Sequence, residues 1–289
     1  MLNRLSYKEF IKLQKLNEKD ILKLSKYYKE TYKEILRLTG YIKDNDIAHL
    51  ISGQNTAHYM SVLQQIDKTF DGLEANVKRD LRNIIINDYK LGKYRAYLDL
   101  RQAGLGASRI SYTFGIVDQR RLEIAINKTY SFLSQAITGS KANVRTVMAT
   151  VAEGAREEVL KNVITGRGMQ ITAKEFQKKI EKEGIMKFRS PKGRTYSTEY
   201  YSRMVTRAET MTVHNDAYLI MAQQNDFDLV QISRHANACD FCKEFEDKIY
   251  SISGNSKEYP ALRSIPNGGP PFHPFCRHVY RIYVKKFYK

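Results

Sequence analysis

All six prolines of this chain lie at or beyond position 191, which leaves the first 190 residues free of the strongest helix breaker. Within that stretch apolar residues recur at helical spacing. Ile21, Leu24, Tyr28, Ile35 and Leu38 form one stripe, with Lys23, Lys26, Lys29, Lys33 and Arg37 off it, and this predicts an amphipathic helix ending at Gly40. A second helical segment runs from about Asn55 to Gly104, with breaks expected near Gly72 and Gly92 and with Tyr89, Tyr94 and Tyr97 along it. A third runs from about Lys141 to Thr165. Val144, Val147, Met148, Val151, Ala155, Val159 and Val163 trace its apolar face, and Gly166 and Gly168 stop it. Stripes of this kind are packing surfaces, and none carries a cofactor motif. Gly104-Leu105-Gly106 lacks the Lys-Ser/Thr ending of a phosphate-binding loop and the full dinucleotide fingerprint, so it reads as a helix terminator.

The pattern changes at Ile185. Ile185, Lys187 and Arg189 alternate with Met186 and Phe188 before the turn sequence Ser190-Pro191-Lys192-Gly193 and then Arg194-Thr195-Tyr196, which predicts a β-hairpin. A central helix is expected from about Ser197 to Asn225, because Tyr201, Met204, Val205, Ala208, Met211, Thr212 and Ile220 keep helical spacing. Strands are expected at Asp228 to Arg234, Lys248 to Ser251 and Val279 to Val284, with a loop rich in Gly and Pro reaching about Pro274. The fold class is therefore α+β, mostly α: a long helical N-terminal region, 1–184, followed by a small α+β C-terminal domain, 185–289.

A chain of 289 residues suits two modest domains. No run approaches the roughly 18 apolar residues of a membrane span, and Met1 to Lys19 is too charged for a signal peptide, so a soluble protein made in a cytoplasm is expected, with no membrane partner. The formal charge of +17 attracts polyanions at low salt, nucleic acid being the commonest. Solvated basic helix faces give the same composition, so charge alone does not choose between them.

Three cysteines is an odd number, and two of them form Cys239-x-x-Cys242 beside several histidines. That suits a metal in a reducing compartment better than a disulfide framework. After a loop of 30 residues comes His273-x-x-Cys276. Two thiolates two residues apart can grip one tetrahedral zinc from a tight turn, and a second pair from a distant loop completes four ligands and pins that loop. The expected ligands are Cys239, Cys242, His273 and Cys276, with His235 and His278 available in place of His273. A closed site of three thiolates and one imidazole is structural, and its binding energy is partly folding energy for Ser253 to Phe272, which has few apolar residues to bury. A catalytic zinc instead keeps a position open for water and wants a base such as Glu209, Glu244 or Glu246. Arg207, Glu209 and His214 on the central helix read as a packed or solvated polar face, and no nucleophile arrangement is legible.

The tail from Arg277 to Lys289 interleaves basic and aromatic residues with no acidic one. Such a mixture suits nucleic-acid backbones and exposed bases, and Arg281, Lys285, Lys286 and Lys289 are the candidate contacts. Alternation at 280, 282 and 284 equally suits a strand with one solvated face.

Pro270-Pro271-Phe272-His273-Pro274-Phe275-Cys276-Arg277, after a Cys-x-x-Cys and Lys248-Ile249-Tyr250-Ser251-Ile252-Ser253-Gly254, resembles the closing signature of Mu F-type phage head morphogenesis proteins. Cys276-Arg277-His278, with Ser251-x-Ser253-Gly254 and Tyr259-Pro260 before it, is similar to the phage minor capsid protein 2 family, and Met204-Val205-Thr206-Arg207-Ala208-Glu209-Thr210 fits the same pattern. The match covers residues 185 to 284. It departs from the family at Phe275 and His278, where Asn and a last Cys often stand. The resemblance implies a minor head protein of a tailed phage, held inside the virion at the portal, with portal protein, other head or scaffold proteins and packaged double-stranded DNA as partners. It implies roles in head morphogenesis and in DNA packaging or ejection, and no turnover. A zinc-dependent nuclease is the competing expectation, and a DNA-binding regulator a weaker one, since no recognition-helix motif is legible.

Overall fold

The computed structural model describes residues 5–165, 172–190 and 193–285. Helices dominate, in the order α1 (Tyr7–Thr39), α2 (Asp44–Ile51), α3 (Ala57–Gln102), α4 (Ile116–Ile164) and α5 (Ala173–Glu183), before the hairpin β1 (Lys187–Arg189) and β2 (Thr195–Ser197). Next come α6 (Thr198–Gln223), β3 (Leu229–Ile232), the single turn α7 (Asp240–Lys243), β4 (Ile249–Ser251) and β5 (Tyr280–Ile282). The expected mostly helical α+β class is what the chain adopts. Among the described residues no helix is long and apolar enough to cross a membrane.

Two expectations change. The second segment is one unbroken helix, and the third begins at Ile116 rather than Lys141. Gly92 does not break α3; a Cβ built there would stand 2.1 Å from the carbonyl oxygen of His214, so its bare backbone lets α6 pass. Gly166, Gly168, Pro191 and Lys192 lie outside the described residues.

The chain forms two compact units, one of Met1–Leu22, Asp80–Tyr130 and Met204–Lys289, the other of Lys23–Arg79 and Ser131–Arg203. In the second unit the predicted α1 stripe is buried at Leu24, Tyr28, Ile35 and Leu38, while its lysines stay exposed. Ser134 donates to Glu74 at 2.6 Å, Lys141 pairs with Asp71 at 3.2 Å, and Arg145 pairs with Asp67. The falling order of one set against the rising order of the other shows α3 and α4 running antiparallel there. The hairpin pairs Phe188 with Tyr196.

The first unit holds the three-stranded antiparallel sheet, ordered β4-β3-β5. Val230, Ile232, Tyr250, Tyr280 and Ile282 of the sheet pack with Ala96 and Leu100 of α3 and with Tyr218, Met221 and Ala222 of α6. Burial of such side chains drives the assembly. The Tyr218 hydroxyl donates to Asp99 and accepts from the Ile282 N–H at 2.8 Å, tying α3, α6 and β5 together. Asp118, fully buried, accepts from Lys93 Nζ at 2.8 Å, the Tyr89 hydroxyl at 2.5 Å and the Gly115 N–H at 2.7 Å, so both of its oxygens are satisfied. α6 buries more polar groups than its stripe implied, among them Ser202, Thr206, Glu209 and Asn215.

Candidate metal centre

The sheet edges and α6 set the scaffold. At the end of β3 the Ser233 N–H donates to Val279 O at 2.9 Å, and the Val279 N–H donates to Ser233 Oγ at 3.0 Å, which clamps the Cys276–His278 segment beside the strand. Asn215 of α6 donates its amide to Pro270 O at 2.9 Å and His278 O at 3.1 Å. One buried side chain thus fixes both ends of the loop carrying His273 and Cys276. A turn closed by the Cys276 N–H to His273 O bond, 2.9 Å, holds those two residues together. Cys239 sits before α7 and Cys242 within it, so the tight turn expected for the Cys-x-x-Cys pair is present.

The donors gather in two overlapping groups. The ligand atoms of Cys239, Cys242 and His273 lie within 4.8 Å of one another, as do those of Cys242, Cys276 and His278. Tetrahedral zinc with bonds of about 2.0–2.3 Å sets its donors about 3.4–3.8 Å apart. Cys239 Sγ is 3.6 Å from His273 Nε2, and Cys276 Sγ is 3.4 Å from His278 Nδ1, so both contacts fall at that spacing. All three cysteines are free thiols, and Cys242 and Cys276 are buried. Burial, then crowding by the neighbouring sulfurs, pushes the Cys242 thiol up to about 12, while the hydrogen bond from the Cys242 backbone pulls the exposed Cys239 thiol down. Three sulfurs crowded in this way suit a divalent cation, which neutralises the thiolates it binds.

Of the histidines that the sequence left open, His273 and His278 reach the cysteines and His235 joins neither group. The His235 ring instead meets Ser233 Oγ through Nε2 at 3.1 Å and stands edge-on to His278. His278 Nε2 lies 2.8 Å from Glu246 Oε1, the same oxygen that accepts the His235 N–H at 2.8 Å. The His278 contact holds the Glu246 carboxyl below the ordinary carboxylate range. A histidine braced on one nitrogen by a carboxylate presents the other in a fixed direction. Glu209 lies elsewhere, paired with Lys128 at 2.7 Å.

The expected tail contacts divide. Arg281 is exposed on β5, Lys285 is paired with Glu258, and Lys286 and Lys289 lie outside the described residues. Beside the metal centre runs a cleft of about 580 Å³ whose walls carry Arg95, Arg207, Arg234, Arg277 and Arg281. Arg95 and Arg234 have no signal in the sequence, because the five come from α3, α6, the β3–α7 loop, the approach to β5 and β5 itself. Arg207 and His214, seven apart on α6, do share this wall.

No curated protein and no solved structure matches the chain. Residues 54–287 match the family model described as phage minor capsid protein 2, a wider span than the C-terminal third that carries the sequence motifs.

Proposed function

Because the chain belongs to the phage minor capsid protein 2 family, we propose that it is a minor head protein bound at the portal inside a tailed-phage head. There it acts in head morphogenesis and in DNA packaging or ejection. The observation that carries this reading is the family match over residues 54–287, which takes in both the helical region and the cysteine–histidine segment. Membership of a capsid-protein family points to a structural role in the virion. Portal protein, other head or scaffold proteins and packaged double-stranded DNA are the proposed partners.

The metal centre belongs to the same reading as a structural clamp. Zinc held by Cys239, Cys242 and His273, which form one group, takes its fourth ligand from Cys276, which is grouped with Cys242 and His278 and must close on Cys239 and His273. This joins α7 to the strand-entering loop, and His278, braced by Glu246, is the alternative nitrogen donor. Three thiolates and one imidazole fill a tetrahedral site and leave no position for water, so zinc there supplies folding energy rather than hydrolysis. The module proposed to carry this clamp is 185–289. Quantitative mass spectrometry of purified particles, counting this chain against the portal protein, tests the assignment. A low, fixed ratio supports it, and absence from particles refutes it.

A further inference from the structure

Arg95, Arg207, Arg234 and the neighbouring pair Arg277 and Arg281 come from four stretches far apart in sequence, yet all five line one hollow of about 580 Å³. Among the described residues none of the five makes an ion pair within 4 Å. The buried Nε of Arg207 has no hydrogen-bond partner, nor has Nε2 of His214 beside it. Asp99 exerts its charge on Arg95 and Arg281, with its carboxyl raised by burial, and Glu246 on Arg234, so the five guanidinium groups outnumber the acidic groups near them. An anion with several acceptor oxygens relieves the remaining repulsion while filling their donors. The acidic residues of the wall are Glu18 and Asp88, and burial pushes the Asp88 carboxyl up to about 7, so its negative charge is partly withdrawn at neutral pH. A second hollow of about 470 Å³ shares Arg95 and Arg281 with the first and runs on along Asp99, Gln102 and Val284. The two form a track rather than a pocket for one small anion.

We propose that this track binds the sugar–phosphate backbone of a nucleic-acid strand. The inference rests on the head-protein reading only in that packaged DNA is the strand at hand. A nucleic acid is favoured over an acidic peptide by two observations. The Phe275 ring, 40% exposed, lines the same cleft two residues from Arg277 and offers a face on which a base can stack. The whole chain carries +17, a field that draws in a long polyanion.

The test uses the full chain and fluorescence anisotropy of a labelled single-stranded 20-mer and of the matching duplex, over a series of salt concentrations. The triple variant Arg234→Ala, Arg277→Ala, Arg281→Ala removes three exposed charges from the track. Lys33→Ala, Lys68→Ala, Lys178→Ala removes three exposed charges elsewhere, and circular dichroism checks that both retain the fold. The arginine variant is expected to bind about tenfold or more weakly, with the slope of log K against log salt shallower by about 2 on the single strand. The lysine variant keeps its affinity within about twofold. Equal losses in the two variants overturn the track in favour of diffuse charge. Arginine-dependent binding of a glutamate-rich peptide without binding of either oligonucleotide overturns the choice of ligand. Preference for the single strand or for the duplex upholds the proposal and identifies which form the track takes. Particle composition is read separately, so a chain that binds DNA through these arginines yet is absent from virions refutes the head-protein role alone.

Discussion

Replacing Gly92 with alanine should destabilise this protein even though alanine is the better helix former. In the interior of α3 the exchange gains about 1 kcal/mol of helix propensity. Against it, the added methyl would stand 2.1 Å from the carbonyl oxygen of His214, 2.8 Å from its carbonyl carbon and 3.0 Å from its Cα. All three are backbone atoms of α6, so no rotamer change relieves the overlap, and the two backbones must part by roughly 1 Å to reach ordinary contact. Overpacking that moves backbone costs about 3 kcal/mol, since α6 carries Val213, Ala217 and Tyr218 of the core with it. The net loss is about 2 kcal/mol, a fall in Tm of about 4–8 °C for a unit of this size. Gly72→Ala on the same helix is the control. Nothing lies within 4 Å of its built Cβ, so it should gain about 0.5–1 kcal/mol. Thermal and urea unfolding of both variants beside wild type measure the signs. A Gly92→Ala protein as stable as wild type, or a Gly72→Ala protein equally damaged, would refute the close-approach argument.

Asp118→Asn strands the Lys93 ammonium, only 3% exposed, without its counter-ion. A loss of about 3–5 kcal/mol in urea unfolding is expected, and a loss below about 1 kcal/mol would show that the site admits water. The Asp88 carboxyl, raised to about 7 in the fold, binds its proton more tightly there than in the unfolded chain. Its contribution is therefore lost as pH rises from about 4 through 7, and Asp88→Asn should gain on wild type by up to about 4 kcal/mol at pH 8 while matching it near pH 4. A stability difference independent of pH contradicts this. His214, held neutral by burial and lowered to about 3, acts in the opposite direction and cancels in the comparison, since both proteins carry it. Chelation should remove about one zinc per chain and the hydrogen-exchange protection of residues 253–272; His273→Ala should weaken zinc binding by about tenfold or more. Loss of zinc in His278→Ala but not in His273→Ala would transfer the nitrogen ligand to His278.

The helices were legible because their apolar residues repeat at the helical period and no proline interrupts them. Ile21, Leu24, Tyr28, Ile35 and Leu38 are all buried, and the end of α1 falls one residue before Gly40. Glycine was the misleading signal. In α3 it marks a close helix approach at Gly92 and open space at Gly72, and in both places the backbone remains helical. The first half of α4 was missed because Ser131-Phe-Leu-Ser-Gln-Ala-Ile-Thr-Gly-Ser140 is rich in small polar residues that blur the stripe. Cys239, Cys242, His273 and Cys276 were readable as spacing, whereas the bracing of His278 by Glu246 depends on a fold that brings residues 32 apart together. Of the arginine track the sequence showed Arg277 and Arg281 in the basic tail, whereas Arg95, Arg207 and Arg234 join them only through the fold.

The sheet unit's core joins Ala96 and Leu100 to Tyr280 and Ile282. Synthesis runs from the N-terminus, so the end of α3 leaves the ribosome some 180 residues ahead of the strand that covers it. At about 5–20 residues per second that wait is roughly 9–36 s, during which Ala96, Leu100 and Ile110 lack their last partners. Nascent chains should therefore stay protease-sensitive around residues 96–110 until translation has passed Ile282, and an infected cell must shelter that stretch from aggregation for the whole interval.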